Sequence, residues 1–164
     1  MFDTFGEFDS AEELNAAAAG QKAEGDIEAL RELAKENGIE DDDVQDYIDG
    51  VADSLCNPLM AAYGKLNVEA ADIKAVEIVE DWINYIRVQC MDNADMAAAV
   101  RKKGKRLKQC ISQILQWSFK NAYDVDKEIV KASGVNAANV KMGIPGMARV
   151  KMIICNYYLG GENH

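Results

Sequence analysis

Proline occurs only twice, at Pro58 and Pro145, so long helices are permitted almost throughout the 164 residues. Histidine occurs once, as His164 at the very end, which leaves no Ser-His or Cys-His pair to build a nucleophile on. The four cysteines, Cys56, Cys90, Cys110 and Cys155, stand far apart with no CxxC pair, so neither a structural zinc site nor a disulfide framework has its usual spacing. Their apolar settings suit reduced cysteines acting as small core residues. No apolar run approaches the length of about eighteen residues that a membrane span needs. Met1 to Ser10 is acidic and polar instead of basic then apolar, unlike a signal peptide. The GxSxG, GxxxxGK[ST] and HExxH motifs are missing as well. These absences predict a soluble cytoplasmic protein that is not an enzyme, with no catalytic residue, no cofactor, no metal site and no membrane partner.

What is there is charge, unevenly placed. The chain is formally −10 at pH 7, yet residues 1–80 hold 21 acids against 5 bases, a net of −16. Residues 81–164 hold 7 acids against 13 bases, a net of +6. Such a dipole is expected where a surface meets charged partners, or where the two halves face each other. The hydrophobic share, 49%, is that of an ordinary globular domain, and no linker or repeat divides it. The expectation is a single helical domain over 1–164, its acidic half 1–80 and basic half 81–164 sharing one core.

The pattern is helical nearly everywhere and predicts an all-α, compact bundle of about seven to nine helices. Ser10-Ala-Glu-Glu13 is a capping-box signature opening a helix that Gly20 can close. Asp26 can cap a second helix carrying Ile27, Leu30, Leu33 and Ala34, stopped by Asn37-Gly38. "EDDDVQDYIDG" places Val44, Tyr47, Ile48 and Val51 on one side of a short helix ending near Gly50. Asn57-Pro58 starts another. From about Lys74 to Cys90, Val79, Trp82, Ile83, Ile86 and Cys90 form one apolar stripe. Asn93 caps a helix running into the basic stretch, and Leu107 to Ala122 is apolar almost all round, as a central helix would be. A short helix follows Asp124 and stops at Gly134; residues 135–143 read as a loop or a brief strand. Gly143-Ile-Pro-Gly146 starts a last helix, from Met147 to Leu159, ending on Gly160-Gly161. Met142, Met147 and Met152 are expected to fill core gaps, and Trp82, Trp117, Tyr157 and Tyr158 to anchor core or interface.

Two charged constellations are candidates for function. "VRKKGKRLKQC" packs six bases into the eight positions from Arg101 to Lys108. At 100° per residue, Arg101, Lys105 and Lys108 lie within about 40° of one direction. Lys103 would fall in the apolar arc, a conflict that a break at Gly104 removes. A helix–Gly–helix corner displaying Arg101, Lys102, Lys105, Arg106 and Lys108 is one answer, suited to phosphate contact with nucleic acid. An internal partner for the acidic half and a solvated helix face are the others. The second constellation is Glu40, Asp41, Asp42, Asp43, Asp46, Asp49 and Asp53. A calcium loop counted from Asp41 has Asp46 where glycine belongs and Ala52 where glutamate belongs, so that register fails. The acids either decorate a helix N-terminus, complementing its dipole, or imitate phosphates before a protein groove built for nucleic acid. Residues 124–151 also show faint helix–turn–helix spacing about Gly134.

Three segments carry a family resemblance: "FDTFGEFDSAEELN", "RKKGKRLKQCISQIL" and "GIPGMARVKMIICNYYLGG". They resemble small proteins from plasmids and phages of gut Firmicutes, the PcfK-like group, some of whose relatives are classed as anti-CRISPR inhibitors of the type II RNA-guided nuclease. The resemblance implies an anti-CRISPR protein that acts in the bacterial host cell. It would bind a type II CRISPR effector nuclease, alone or in its guide-RNA complex, and block target-DNA binding or cleavage. The alternative it implies is a nucleic-acid-binding accessory protein of a plasmid or phage, associated with conjugation and using the basic corner.

Overall fold

The computed structural model describes residues 1–160; His164 and Gly161 lie outside them. Among the described residues are nine α-helices: α1 (Ala11–Glu24), α2 (Ile27–Glu36), α3 (Asp41–Asp49), α4 (Pro58–Asp72), α5 (Ile78–Asp92), α6 (Ala94–Arg101), α7 (Leu107–Lys120), α8 (Lys127–Ser133) and α9 (Met147–Leu159). Strands β1 (Tyr123–Asp124) and β2 (Lys141–Met142) form one antiparallel ribbon, with Tyr123 opposite Met142 and Asp124 opposite Lys141. The all-α architecture expected from the sequence is therefore the one observed.

Local chemistry sets most helix ends. The Ser10 hydroxyl accepts the Glu13 N–H while the Glu13 carboxylate accepts the Asp9 N–H, a reciprocal cap at the start of α1. Asp26, Asn57, Asn93 and Asp126 each accept a first-turn N–H of α2, α4, α6 and α8. α3 ends on Gly50 in the left-handed conformation that glycine adopts without strain. Two boundaries differ from expectation. Gly20 lies inside α1, because the left-handed stop is supplied five residues later by Gly25. α5 begins at Ile78 and not Lys74, since Lys74 and Glu77 take φ of 50° and 52°, outside any right-handed helix.

The buried apolar side chains form two clusters, and α4 enters both. One gathers Leu14 and Ala18 of α1, Leu30 and Leu33 of α2, and Val44 and Tyr47 of α3 with Ala61. The other gathers Leu66, Trp82, Ile83, Ile86, Val100, Leu107, Ile114, Val150 and Ile154. The central helix is thus α4, which packs against α1, α5, α6 and α7, and not α7. α7 buries only Leu107, Cys110 and Ile114, leaving Leu115 and Phe119 exposed. α4 takes the centre because Ala61, Ala62, Gly64 and Ala70 let neighbouring backbones approach. Met142, Met147 and Met152, expected in the core, are exposed, as is Val51 beyond the end of α3.

The closest approach is between the α2 stop and α4. A Cβ built on Gly64 would fall inside the Asn37 and Gly38 backbone, and one on Gly38 inside that of Gly64. Gly64→Ala therefore sets helix propensity, worth about 1 kcal/mol in its favour, against an overlap with backbone that cannot rotate away. The overlap wins: chemical denaturation should show Gly64→Ala less stable by about 2 kcal/mol or more.

Candidate functional site

The basic stretch folds as the sequence suggested, helix–Gly–helix, but it does not face outward as a whole. α6 ends at Arg101, Gly104 takes φ of 80°, and α7 begins at Leu107. An N-terminal strap, residues 1–9, lies against this corner. The Asp9 carboxylate accepts the Lys103 N–H at 3.0 Å, and Glu7 accepts the Gly104 N–H at 3.1 Å. Further back, one Glu36 carboxylate receives the Thr4 and Phe5 N–H groups at 3.0 and 3.1 Å, tying the strap to α2.

Glu7 is the hub. Its side chain is 5% exposed, with Oε1 at 2.7 Å from Lys65 Nζ and Oε2 at 3.0 Å from Arg106 Nη2. Lys65, fully buried on α4, also donates to the Lys102 carbonyl at 2.8 Å. Glu69, one turn along α4, accepts the Leu107 N–H at 2.8 Å and lies 3.7 Å from Arg106 Nη1. Glu69 thereby covers the otherwise unpaired start of α7, because Arg106, the residue that precedes the helix, supplies no side-chain cap. Burial pushes Glu69 above, and Lys65 and Arg101 below, their ordinary values. Burial acts on Glu7 in the same upward sense. There the Lys65 contact, the Gly104 N–H and the charges of Lys65 and Arg106 outweigh it, holding Glu7 below its ordinary 4.5.

Each predicted basic residue now has a place. Arg101, expected on a displayed face, is 1% exposed and donates to Asn37 Oδ1 at 2.7 Å. It is corrected to an interior residue, because α6 presents that position to the α2 stop and α4. Arg106 is ion-paired as above, and both guanidiniums lie over the Phe2 ring, at 5.9 and 5.3 Å. Lys105 donates to the Tyr157 carbonyl at 2.6 Å. The Tyr157 hydroxyl accepts the Arg106 N–H at 2.7 Å, fastening α9 to the same corner. Lys102, Lys103 and Lys108 alone of the six stand exposed. Of the three answers to the basic stretch, the internal partner describes Arg101, Arg106 and, in its backbone, the corner itself. Sequence reasoning missed Glu7, Lys65, Glu69, Asn37 and Phe2. One signal for two of them was present: Lys65 and Glu69, four apart in the otherwise apolar "AAYGKLNVEAA", can meet on one helix face.

The acidic constellation has the opposite fate. Glu40, Asp41, Asp42, Asp46, Asp49 and Asp53 are exposed and Asp43 half-buried. Among the described residues none of the seven forms an ion pair. Asp41, Asp42 and Asp43 occupy the first turn of α3, where the helix dipole favours them. Asp42, Asp46 and Asp49, spaced four and three apart, form a row of carboxylates along one helix face. Among the described residues no three His, Cys, Asp or Glu side chains gather as a metal site would require.

The thiols are quiet. Burial pushes Cys56 up to about 11 and Cys90 and Cys110 to about 12, so they stay protonated near neutrality. The helix–turn–helix spacing suspected over 124–151 is not realised, because β2 and a long loop separate α8 from α9. No helix among the described residues is long and apolar enough to cross a membrane. Comparison with protein-family models, curated proteins and solved structures finds no match. The PcfK-like resemblance therefore rests on the three quoted segments alone.

The Glu7 hub has a pH signature. A carboxyl held low in the folded state contributes stability that is full above its unfolded value and lost as pH falls through the folded one. Glu7→Gln should lower unfolding free energy by about 2–4 kcal/mol at neutral pH, since it leaves Lys65 buried without its counter-charge. The difference from the parent should shrink as pH falls below 4.5, measured by thermal melts across the acid range.

Proposed function

We propose that this chain is a non-enzymatic inhibitor that binds a type II CRISPR effector nuclease through the acidic face of α3. It would thereby keep target DNA from being bound or cleaved. The observation that carries the reading is the contrast between the two charged constellations. Half of the basic stretch, Arg101, Lys105 and Arg106, is held by contacts within the molecule, while the acidic run stays outward with no ion pair among the described residues. A row of carboxylates on a rigid helix offers a basic protein groove the charge pattern it would otherwise meet in a nucleic-acid backbone. RNA-guided nucleases hold nucleic acid in positively charged channels and read a short duplex motif through arginines, so such grooves are available on the target. The identity of that target comes from the PcfK-like resemblance; its place of action is the cytoplasm of the bacterial host.

A nucleic-acid-binding accessory protein would have to work from Lys102, Lys103 and Lys108, with Lys105 half-buried and Arg101 and Arg106 engaged. Three exposed lysines supply little counterion release compared with the six to ten phosphate contacts of strong binders.

The test is a titration of the purified chain into guide-loaded effector, following labelled target DNA for binding and for cleavage. A parallel series contains no effector. The proposal expects lost DNA binding or cleavage with effector and no DNA shift without it. Replacing Asp41, Asp42, Asp46 and Asp49 by Asn should raise the half-inhibitory concentration about tenfold or more. Charge reversal at Lys102, Lys103 and Lys108 should leave it within about twofold. Inhibition indifferent to the aspartates would sink the acidic-face reading, and a DNA shift without effector would favour the accessory protein.

A further inference from the structure

Residues 121–146 leave the helical body after α7 and return to it at α9. Within them only Pro145 is buried, and α8 buries no residue. Ordering each residue costs about 1–2 kcal/mol of chain entropy, and a ribbon of two short strands is marginal by itself. This excursion gains little from the rest of its own chain. It does carry apolar surface that something else can cover.

Leu115 and Phe119 stand one turn apart on α7. Tyr123 and Met142 face each other across the ribbon, the tyrosine hydroxyl 3.5 Å from the Met142 sulfur. Ile144 follows two residues on, and Met147 opens α9. The ribbon seats on the last turn of α7, where a Cβ on Gly143 would come within 2.7 Å of the Ser118 carbonyl oxygen and 3.4 Å of Ala122 Cβ. These six side chains therefore gather at one end of the molecule. Phe119 is 80% exposed and the other five 41–59%. With the two aromatic side chains offering about 150–250 Å² each and the four others less, that leaves on the order of 700 Å² of exposed surface. An incidental patch reaches only a few hundred Å², whereas each partner in a stable interface contributes about 800 Å².

We propose that this surface is covered by a second copy of the same chain, in a two-fold symmetric dimer. The area is what such a dimer needs. The same stretch of chain carries both signs of charge, Lys120, Lys127, Lys131 and Lys141 beside Asp124, Asp126 and Glu128, as a self-complementary contact needs. The Asp124–Lys141 pair is loose, at 3.8 Å with both side chains largely exposed, so each can exchange partners across a two-fold axis. An excursion without a core of its own is stabilised by a partner present wherever the chain is, and a second copy meets that condition. The acidic face of α3 takes no part, so this inference goes beyond the proposed function and stands apart from it.

Sedimentation velocity on the full chain from about 1 to 100 μM tests it. The expected result is a mass that rises from monomer to dimer. Phe119→Asp and Ile144→Asp should each weaken dimerisation about tenfold or more, with far-ultraviolet circular dichroism unchanged. Hydrogen exchange over residues 121–146 should slow as the concentration rises. A monomeric mass throughout, or a dimer indifferent to both substitutions, overturns the proposal. Capture of the patch by a different protein while the chain stays monomeric overturns it in favour of that occupant. The unsubstituted series decides the question even where a variant misfolds.

Discussion

The contact between Glu7 and Lys65 is the constraint on which the rest of the arrangement depends. An ammonium group fully removed from water must be matched by a carboxylate, and the carboxylate must come from a segment that can reach the same depth. Lys65 sits in the middle of α4, the helix that both buried clusters share. Its counter-charge comes from a strap with no regular structure, so the strap is fixed wherever α4 is fixed. The α6–α7 corner is fixed in turn, because the same carboxylate receives the Gly104 N–H and the Arg106 guanidinium. One buried charge thus sets three elements far apart in the chain.

That constraint also divides the surface electrostatics. The −16 and +6 halves do face each other, at the corner, where strap acids meet corner amides and guanidiniums, and again where Arg87 pairs with Glu80. Of the basic stretch, Arg106 is ion-paired there with Glu7 and Glu69, while Lys102, Lys103 and Lys108 stay in solvent. The carboxylates of α3 form no ion pair among the described residues, for the two bases that reach this helix, Lys22 and Arg31, donate to the Tyr47 carbonyl and to Gln45 instead. A chain that ties down half of its basic cluster and leaves its acidic run in solvent is suited to meet basic surfaces, which is the physical content of the inhibitor reading.

The other end of the molecule obeys a different economy. Around α4, small residues bring helices close, and the buried charges of Lys65 and Glu7 meet at short range. Beyond α7, the chain runs through α8 and the ribbon with apolar side chains turned outward and hardly any interior. A surface of the first kind is complete by itself, and one of the second kind is complete only when covered. Met142 and Met147 lie open in or beside the excursion. Unbranched and polarizable, such side chains adapt to an opposing surface as readily as to a core gap.

The sequence by itself determined where helices start and stop. Ser10, Asp26, Asn57, Asn93, Gly50, Gly134 and Gly160 act on backbone groups within four residues, so their effect is written locally. It also determined that Gly104 breaks the basic stretch and that the acids of α3 gather at a helix start. Only the tertiary structure decided what those charges are for. Arg101 reads as a surface base until Asn37, 64 positions away, closes over it, and Glu7 reads as one acid among many until Gly104, 97 positions away, donates to it. The choice of α4 as the centre likewise rests on backbone approach at Gly38 and Gly64, a contact between positions 26 apart. Periodicity reports how apolar a face is; which face is covered depends on contacts whose partners no local window contains.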